Sequence, residues 1–155
     1  MNRGPVVREG YIYIAAALFL AVVMYFGFGV AVAVPFVVLA CYFTYFFRNP
    51  DRTIPTDEHL VVSPADGTVQ DVVELEDDDF VKGPCTKIII FLSVFNVHVN
   101  RSPIAGEIKC QKYVCGRFRP AYKDEVGFEN ERHMLGIENE KGFRVTVTQI
   151  AGILA

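Results

Sequence analysis

The chain has 155 residues, of which 52% are hydrophobic and 21% charged, with a formal net charge of −3 and a mean hydropathy of +0.28. An aromatic content of 13% excludes a disordered chain, and the acidic balance argues against a nucleic-acid partner. Only three of the 33 charged residues fall in the first 47 positions. The composition therefore predicts an apolar N-terminal segment joined to one small globular domain.

An uncharged segment near the N-terminus predicts a membrane hairpin. Gly10–Phe47 is a run of 38 residues without Asp, Glu, Lys, Arg or His, and one membrane-spanning helix needs about 20 apolar residues. The run is also far longer than the roughly 7–15 apolar residues of a signal-peptide core. Gly27 and Gly29 interrupt it near the middle. We therefore predict two short helices, Tyr11–Tyr25 and Val30–Phe47, joined by a tight turn.

Basic residues flank the uncharged run on both sides, with Arg3 and Arg8 before it and Arg48 and Arg52 after it. Because cytoplasmic flanks of membrane segments are enriched in Lys and Arg, both ends are predicted to lie on the cytoplasmic face of the cell membrane. The alternative is one long tilted span with the domain on the other side. Aromatic residues expected at the membrane interface are Tyr42, Phe43, Tyr45, Phe46 and Phe47.

The composition of the sequence changes from apolar to polar after residue 47. Residues 48–62 begin with a polar stretch that contains Pro50 and Pro55, which predicts an extended linker. Short runs of β-forming residues follow in residues 63–155, several of them alternating between apolar and polar positions. The predicted strands are Gly67–Leu75, Lys87–Val99, Gly106–Val114 and Phe143–Leu154, with a hairpin turn at Asn139–Gly142. We predict a mainly β domain, an antiparallel sandwich or small barrel, after a tail (1–10), the membrane hairpin (11–47) and the linker (48–62).

The cysteines are typical of a reducing compartment. Cys41 lies in the apolar run, which leaves an odd number in the domain, namely Cys85, Cys110 and Cys115. The spacing of five between Cys110 and Cys115 places them on opposite faces of a strand. Neither a disulfide framework nor a metal site is predicted.

The first candidate site is the turn Ser63–Gly67, which comes directly before a predicted strand. Pro64 and Gly67 favour a tight turn, and Asp66 is presented from it. The alternative is ordinary turn chemistry, because Asp before Gly is a common turn pair.

The second candidate site is a polar set that alternates with apolar residues at the end of the second predicted strand. Asn96, His98 and Asn100 would share one strand face, while the residues between them pack on the core. Histidine transfers protons near neutral pH, and the neighbouring amides can orient it or a substrate. The alternative is a solvated strand face.

Other polar segments are predicted to be exposed surface. Glu129–His133 indicates a charged edge, and residues 76–79 indicate a solvated acidic loop. His59 and His133 are interpreted as surface histidines.

Several motifs, taken in order with the hairpin, resemble the short-form phosphatidylserine decarboxylases. Each motif alone is weak, but the resemblance runs along nearly the whole chain. The motifs are Arg48–Arg52, Ser63–Gly67, Asn96–Pro103, Asn130–Arg132 and Gln149–Gly152.

The resemblance implies a pyruvoyl-dependent lyase that converts phosphatidylserine in the membrane to phosphatidylethanolamine. In that family a serine after a glycine near the C-terminus cleaves the chain and becomes a pyruvoyl group on a small subunit. The ketone then acts as an electron sink when CO2 leaves. The family resemblance does not point to a nucleic-acid partner, and it does not decide whether the protein forms a homo-oligomer.

The sequence departs from the family at the processing site. Its serines, Ser63, Ser93 and Ser102, follow Val, Leu and Arg, so no Gly-Ser pair is present. We expect a C-terminally truncated proenzyme whose catalytic domain is incomplete and which is inactive without the remaining segment. A degenerate, inactive relative is the alternative.

The resemblance also assigns residues. Asp66 matches the aspartate of the family's Pro-x-Asp-Gly turn, and His98 matches the histidine of its Leu-Ser-x-x-x-x-His segment. Both are predicted to be catalytic. In longer bacterial members a second histidine occupies the position of Arg101. Asn96, Asn100 and Arg101 are weaker candidates that would orient His98 or bind the lipid phosphate.

Three alternative functions remain open at this point. One is decarboxylation of archaetidylserine, an ether-linked lipid with the same head group. Another is a membrane-tethered carrier domain phosphorylated on His98, because a Pro-Ala-Asp-Gly turn also occurs in carrier domains. The last is a non-enzymatic membrane scaffold.

Overall fold

The computed structural model describes residues 4–55, 57, 60–76, 78–119 and 129–153. The chain divides into two compact units. The first comprises Met1–Ile54 and Phe95–Val99, and the second comprises Pro55–Val94 and Asn100–Ala155. We call them the hairpin unit and the β unit.

The hairpin unit contains two helices, α1 (Gly10–Phe28) and α2 (Val30–Phe46). Gly29 alone connects them, with a backbone φ of +89° that side chains disfavour. The prediction of two helices is confirmed, but α1 runs through Gly27 instead of ending at Tyr25. A single left-handed residue is enough for the turn, so the first glycine keeps its helical hydrogen bonds.

The residues that follow α2 lie beside the residues that precede α1. The Val7 amide donates to the Phe47 carbonyl at 3.0 Å, and the Asn49 amide donates to the Pro5 carbonyl at 2.7 Å. The side chains buried in the helices are small, as is typical of helices that approach each other closely. They belong to Ala17, Ala21, Ala33 and Ala40.

The outer surface of the hairpin is apolar. Phe19 is 68% exposed and Phe26 is 82% exposed. Among the described helices, α1 is long and apolar enough to cross a membrane by length and composition, with a mean hydropathy of 2.1, whereas α2 is shorter, at 17 residues. An apolar surface of this kind is unfavourable in water.

The β unit contains two antiparallel sheets in its described residues. One pairs β1 (Thr68–Leu75) with β2 (Cys85–Phe91), and the other has the order β3-β4-β5. The strands of the second sheet are β3 (Glu107–Val114), β4 (Arg132–Glu138) and β5 (Arg144–Ile150). The prediction of an antiparallel, strand-rich domain is confirmed.

The turn predicted at residues 139–142 is confirmed between β4 and β5. The Asn139 side-chain oxygen accepts hydrogen bonds from the amides of Lys141 (2.9 Å) and Phe143 (2.8 Å), and Gly142 has a φ of +80°. The sequence analysis missed β4, the central strand of this sheet. Its polar beginning at Arg132 and its Gly136 hide the period-two pattern.

The loop before β2 packs against the second sheet. An added Cβ at Gly136 would lie 2.8 Å from the Phe80 ring, so the ring covers the bare backbone of β4. The Asp78 carboxylate accepts hydrogen bonds from the amides of Phe80 and Val81, both at 2.9 Å, and from the Thr146 hydroxyl at 3.1 Å. Asp78 is therefore bound, whereas the sequence predicted a solvated acidic loop here.

Candidate active site

The His98 ring is held by two contacts within the hairpin unit. It stacks on the Phe46 ring, with centroids 4.3 Å apart and planes 23° apart. Its Nδ1 lies 3.1 Å from the Asn96 carbonyl oxygen. A carbonyl oxygen can only accept, so neutral His98 carries its proton on Nδ1. The lone pair of Nε2 is then the one that can take a proton.

The segment before His98 is fastened to the end of α2. The Phe95 carbonyl accepts hydrogen bonds from the Tyr45 hydroxyl at 3.1 Å and from Arg48 Nη2 at 2.8 Å. Arg48 Nη1 also donates to the Tyr45 carbonyl at 2.7 Å, and the guanidinium lies 3.8 Å from the centre of the Tyr45 ring. One carbonyl thus receives two donors, both from the same end of the hairpin.

An open cavity of about 270 Å³ adjoins His98 in the hairpin unit. Most of its lining is apolar, and its one carboxylate is that of Glu9. The lining residues are Val7, Glu9, Phe46, Phe47, His98 and Val99. The cavity offers a small apolar space beside a group that can move a proton.

The Ser63–Gly67 turn in the β unit is rigidly built. The Ser63 hydroxyl donates to the Ala65 carbonyl at 2.7 Å. Gly67 has no room for a side chain, because an added Cβ would lie 2.5 Å from the Phe91 carbonyl oxygen. The turn that presents Asp66 is therefore pressed against the end of β2, as the glycine in the sequence indicated.

Backbone hydrogen bonds join this turn to the residues that follow His98. The Arg101 amide donates to the Pro64 carbonyl at 2.9 Å, and the Val62 amide donates to the Pro103 carbonyl at 3.0 Å. Two of the predicted motifs, those carrying Asp66 and Arg101, thus meet in the β unit. His98 and Asn96 belong to the hairpin unit, and the joint action of Asp66 and His98 stays a prediction.

The prediction that Asn96, His98 and Asn100 share a strand face is wrong. β2 ends at Phe91, and residues 92–106 form no strand. The carbonyls of residues 95 and 96 accept side-chain hydrogen bonds instead of forming a ladder. Polar and apolar residues do alternate in this sequence, but the backbone here is not a β-strand, so the alternating polar side chains do not share one face.

Asn100 has a different environment. Its side-chain oxygen is buried and has no hydrogen-bond partner among the described residues. A buried acceptor without a donor is unfavourable, so this atom is able to bind a donor from a ligand or from another segment.

Asn130 connects two further motifs, although the sequence predicted only a charged edge around it. It is 0% exposed. Its Nδ2 donates to the carbonyls of Arg119 (2.8 Å) and Ala151 (2.7 Å), and its Oδ1 accepts from the Arg119 amide at 3.1 Å. Asn130 is therefore a structural residue that holds the chain after β5 in place.

His133 lies in β4 and is half-buried, with its Nε2 2.7 Å from Gln111 Nε2. His59 falls outside the described residues. Among those described, no three His, Cys, Asp or Glu side chains are grouped as metal ligands would be.

The hairpin unit thus carries a histidine whose Nδ1 is bound to a carbonyl, with an apolar cavity beside it, and such a group is suited to proton transfer. The β unit separately carries the turn that presents Asp66. The sequence analysis missed Tyr45, Phe46 and Arg48 as parts of the His98 environment. The signal that could have indicated them is an arginine placed directly after an apolar, aromatic helix end.

The comparisons with known proteins identify the family. The family model for phosphatidylserine decarboxylase matches residues 39–155. The chain is 47% identical to the phosphatidylserine decarboxylase proenzyme of Symbiobacterium thermophilum, with 100% of this chain and 72% of the relative covered. It is 44% identical to the proenzyme of that name in Carboxydothermus hydrogenoformans, covering 96% and 68%. For the proenzyme of Geobacter metallireducens the identity is 42%, covering 99% and 72%.

The chain therefore belongs to the phosphatidylserine decarboxylase family. The resemblance noted in the sequence is confirmed. The matches do not favour the archaetidylserine or carrier alternatives, since these relatives are all named phosphatidylserine decarboxylase proenzymes.

Proposed function

We propose that this protein is a lyase that removes CO2 from the serine head group of phosphatidylserine to give phosphatidylethanolamine. The observation that carries the proposal is the match along nearly the whole chain to proenzymes of that name. The His98 environment supports it, because decarboxylation leaves a carbanion that must be protonated.

His98 moves this proton at Nε2. The Asn96 carbonyl holds the proton of Nδ1, so exchange with a substrate or with a serine hydroxyl takes place at the other ring nitrogen. Stacking on Phe46 fixes the plane of the ring and covers one of its faces from water. His98 serves as proton donor in turnover and, together with Asp66, as base in chain processing.

Arg101, Asn100 and Asn96 are the candidates for binding the lipid head group. Arg101 carries a guanidinium, which suits a phosphate oxygen. The backbone bond from Arg101 to Pro64 fixes its place beside the turn of Asp66. Asn100 offers a buried acceptor for an ammonium or amide donor.

The family's pyruvoyl group fits the described residues in one respect, which is that Asn100 Oδ1 is a buried acceptor awaiting a donor. When bound, the group supplies an electron-withdrawing carbonyl for the loss of CO2. The three serines of this sequence follow residues other than glycine, so the group would come from a serine outside these 155 residues. Asn100 and the Asp66 turn would hold it.

The hairpin unit anchors the enzyme at the cytoplasmic face of the membrane. Its outer surface is apolar, and arginines flank both ends of the uncharged run. Membrane attachment would keep the catalytic residues near a substrate that is itself a lipid.

A reconstitution experiment tests the proposal. The chain is expressed in its full reading frame and, in parallel, joined to a relative's C-terminal segment that carries a Gly-Ser processing site, in cells depleted of phosphatidylserine decarboxylase. Membranes should then convert labelled phosphatidylserine to phosphatidylethanolamine. The change His98→Ala should lower the rate at least ~100-fold, as expected for loss of a general acid or base.

The change His133→Ala is the matched control and should keep most of the activity, because this histidine lies in β4 and contacts Gln111. Conversion at the parent rate by the His98→Ala protein would overturn the role of His98. No conversion by the unaltered protein in either form would overturn the proposed function.

A further inference from the structure

Arg48 stands at the junction of the hairpin and the segment that carries His98. It follows α2 by two positions, and its guanidinium donates in two directions, to the Tyr45 carbonyl at 2.7 Å and to the Phe95 carbonyl at 2.8 Å. The first bond satisfies a carbonyl in the last turn of α2, where helical partners are lacking. The second reaches a residue 47 positions later in the chain.

The Phe95 carbonyl is held from two sides. The Tyr45 hydroxyl also donates to it, at 3.1 Å, and the Tyr45 ring lies 3.8 Å below the Arg48 guanidinium. A carbonyl oxygen has two lone pairs, and here donors occupy both. Rotation of the peptide that follows Phe95 would break both bonds.

This fixed peptide lies three residues before His98. Val97 between them is 3% exposed, and the His98 ring stacks on Phe46, the neighbour of Tyr45. The end of α2 therefore fixes the short segment at its beginning through Arg48 and at its end through Phe46. The orientation of Nδ1 toward Asn96 depends on the backbone between these two points.

We propose that Arg48 is a positioning residue for His98. Through the Phe95 carbonyl it sets the backbone that keeps the His98 ring on Phe46, with Nδ1 bound and Nε2 directed to the reaction. The inference rests on the proposed function, since it gives Arg48 a role only through His98. Arg48 itself contacts no substrate in this role.

The geometry requires arginine and not just a positive charge. Two planar N–H groups bond two carbonyls that belong to distant parts of the chain, while the flat face of the guanidinium covers an aromatic ring. A lysine ammonium can donate to one of these carbonyls, but it lacks the planar fork and stacks less well. Arg48→Lys should therefore reduce kcat less than Arg48→Gln does.

The test combines kinetics with histidine NMR on the full protein in lipid nanodiscs. Arg48→Gln should lower kcat about 10–100-fold and leave KM within about twofold of the parent value. A displacement of a catalytic group by about 1 Å can reduce the rate this much. Arg48→Lys, which keeps a cationic donor beside the Tyr45 hydroxyl, and Tyr45→Phe, which keeps the Arg48 guanidinium, should give smaller losses. Arg8→Gln, which removes one charge from the same end of the hairpin, is the matched control and should keep kcat.

The histidine spectrum distinguishes positioning from a general loss of structure. The sequence has three histidines, so the ¹⁵N signals of the His98 ring can be assigned by substitution. The parent protein should show the Nδ1–H tautomer, and Arg48→Gln should shift His98 toward a mixture of tautomers without moving the His133 signals. Rescue of the tautomer in Arg48→Lys should follow its rescue of kcat.

Two results would overturn the proposal. One is an unchanged His98 tautomer and an unchanged kcat in both Arg48→Gln and Tyr45→Phe. The other is a rise in KM with kcat unchanged, which would make Arg48 a ligand of the lipid head group. If His98→Ala leaves decarboxylation intact, the proposed role of His98 fails, but the spectrum still reports whether Arg48 orients the ring.

Discussion

The hairpin unit buries small alanine side chains between its helices and exposes its large ones, whereas the β unit buries an amide, Asn130, and organises a chain segment around it. The first arrangement suits a lipid environment, where close backbone approach drives packing. The second suits water, where a buried polar group must find all its partners inside the protein. The two units should therefore respond to different substitutions.

The largest effect on the β unit should come from Asn130→Ala. The change removes three hydrogen bonds and leaves the Arg119 amide and two carbonyls without their partner. We expect a loss of about 3 kcal/mol in the free energy of unfolding. Amide hydrogen exchange in β3–β5, measured in detergent micelles, should rise, while α1 and α2 stay protected.

The exposed amide of Gln149 provides the control for Asn130. Gln149→Ala, in the neighbouring strand β5, should change exchange little. Equal effects of the two substitutions would contradict the view that the β unit is organised around one buried amide.

The hairpin unit should be most sensitive at its turn. Gly29 has φ +89° and ψ 179°, a conformation nearly restricted to glycine, so Gly29→Ala should cost about 1–3 kcal/mol. Faster amide exchange at the adjoining ends of α1 and α2 would report it, with the β unit unaffected.

Gly27 offers a comparison two residues away. An added Cβ there meets nothing within 4 Å, and the residue is helical. Gly27→Ala should therefore stabilise α1 by up to ~1 kcal/mol. A loss of hairpin protection in this variant as large as in Gly29→Ala would show that the turn is wrongly assigned.

A third test concerns the contact of Phe80 with Gly136. An added Cβ would lie 2.8 Å from the ring, so Gly136→Ala should destabilise the β unit by about 1–2 kcal/mol through overpacking. Phe80→Leu should relieve part of this loss. Strictly additive free energies of unfolding in the double variant would mean that the two residues do not touch in solution.

The smallest expected effect is the pH dependence that Asp78 contributes. Burial raises the pKa of the Asp78 carboxyl, but hydrogen bonds from Val81, Phe80 and Thr146 outweigh this effect. Together they lower the pKa of Asp78 below its usual value near 3.8. A lowered pKa in the folded state means that the stabilisation is complete above the unfolded pKa and is lost as the pH falls through the folded one. Solvent screening limits it to less than ~1 kcal/mol.

Substitutions at Asp78 and Thr146 can measure how much Asp78 contributes to the pH dependence of stability. In Asp78→Asn, the decrease in stability between pH 5 and pH 2 should be shallower than in the parent protein. Thr146→Val, which removes one of the three donors, should give an intermediate slope. Identical slopes in all three proteins would contradict the assignment.

Much of the architecture could be predicted because its signals are local. The uncharged run indicated two helices, and the Asn139–Gly142 turn and four of the five strands were recognisable from turn residues and alternation, although the second was predicted to extend too far. The position of the helical turn was less certain, because Gly27 and Gly29 are equivalent in the sequence and differ only in their backbone angles.

The parts that the sequence did not predict depend on distant contacts. Alternation around His98 indicated a strand, but Arg48 and Tyr45 engage the Phe95 carbonyl from 47 and 50 positions earlier in the chain. Asn130 was recognised in the sequence only as part of a motif and of a charged edge, and only the folded backbone brings the Arg119 and Ala151 carbonyls to its amide. Side-chain bonds to backbone of this kind leave no periodic pattern.

The single-residue turn at Gly29 also bears on the proposed membrane anchor. Neither the turn nor the residues on either side of it carry a charge, so in the proposed anchor the hairpin would enter the bilayer as one folded piece. No hydrophilic loop has to be carried across the hydrocarbon, which is the costly part of inserting most paired helices. Biogenesis of the anchor would then depend on burial of apolar surface and not on export of a loop.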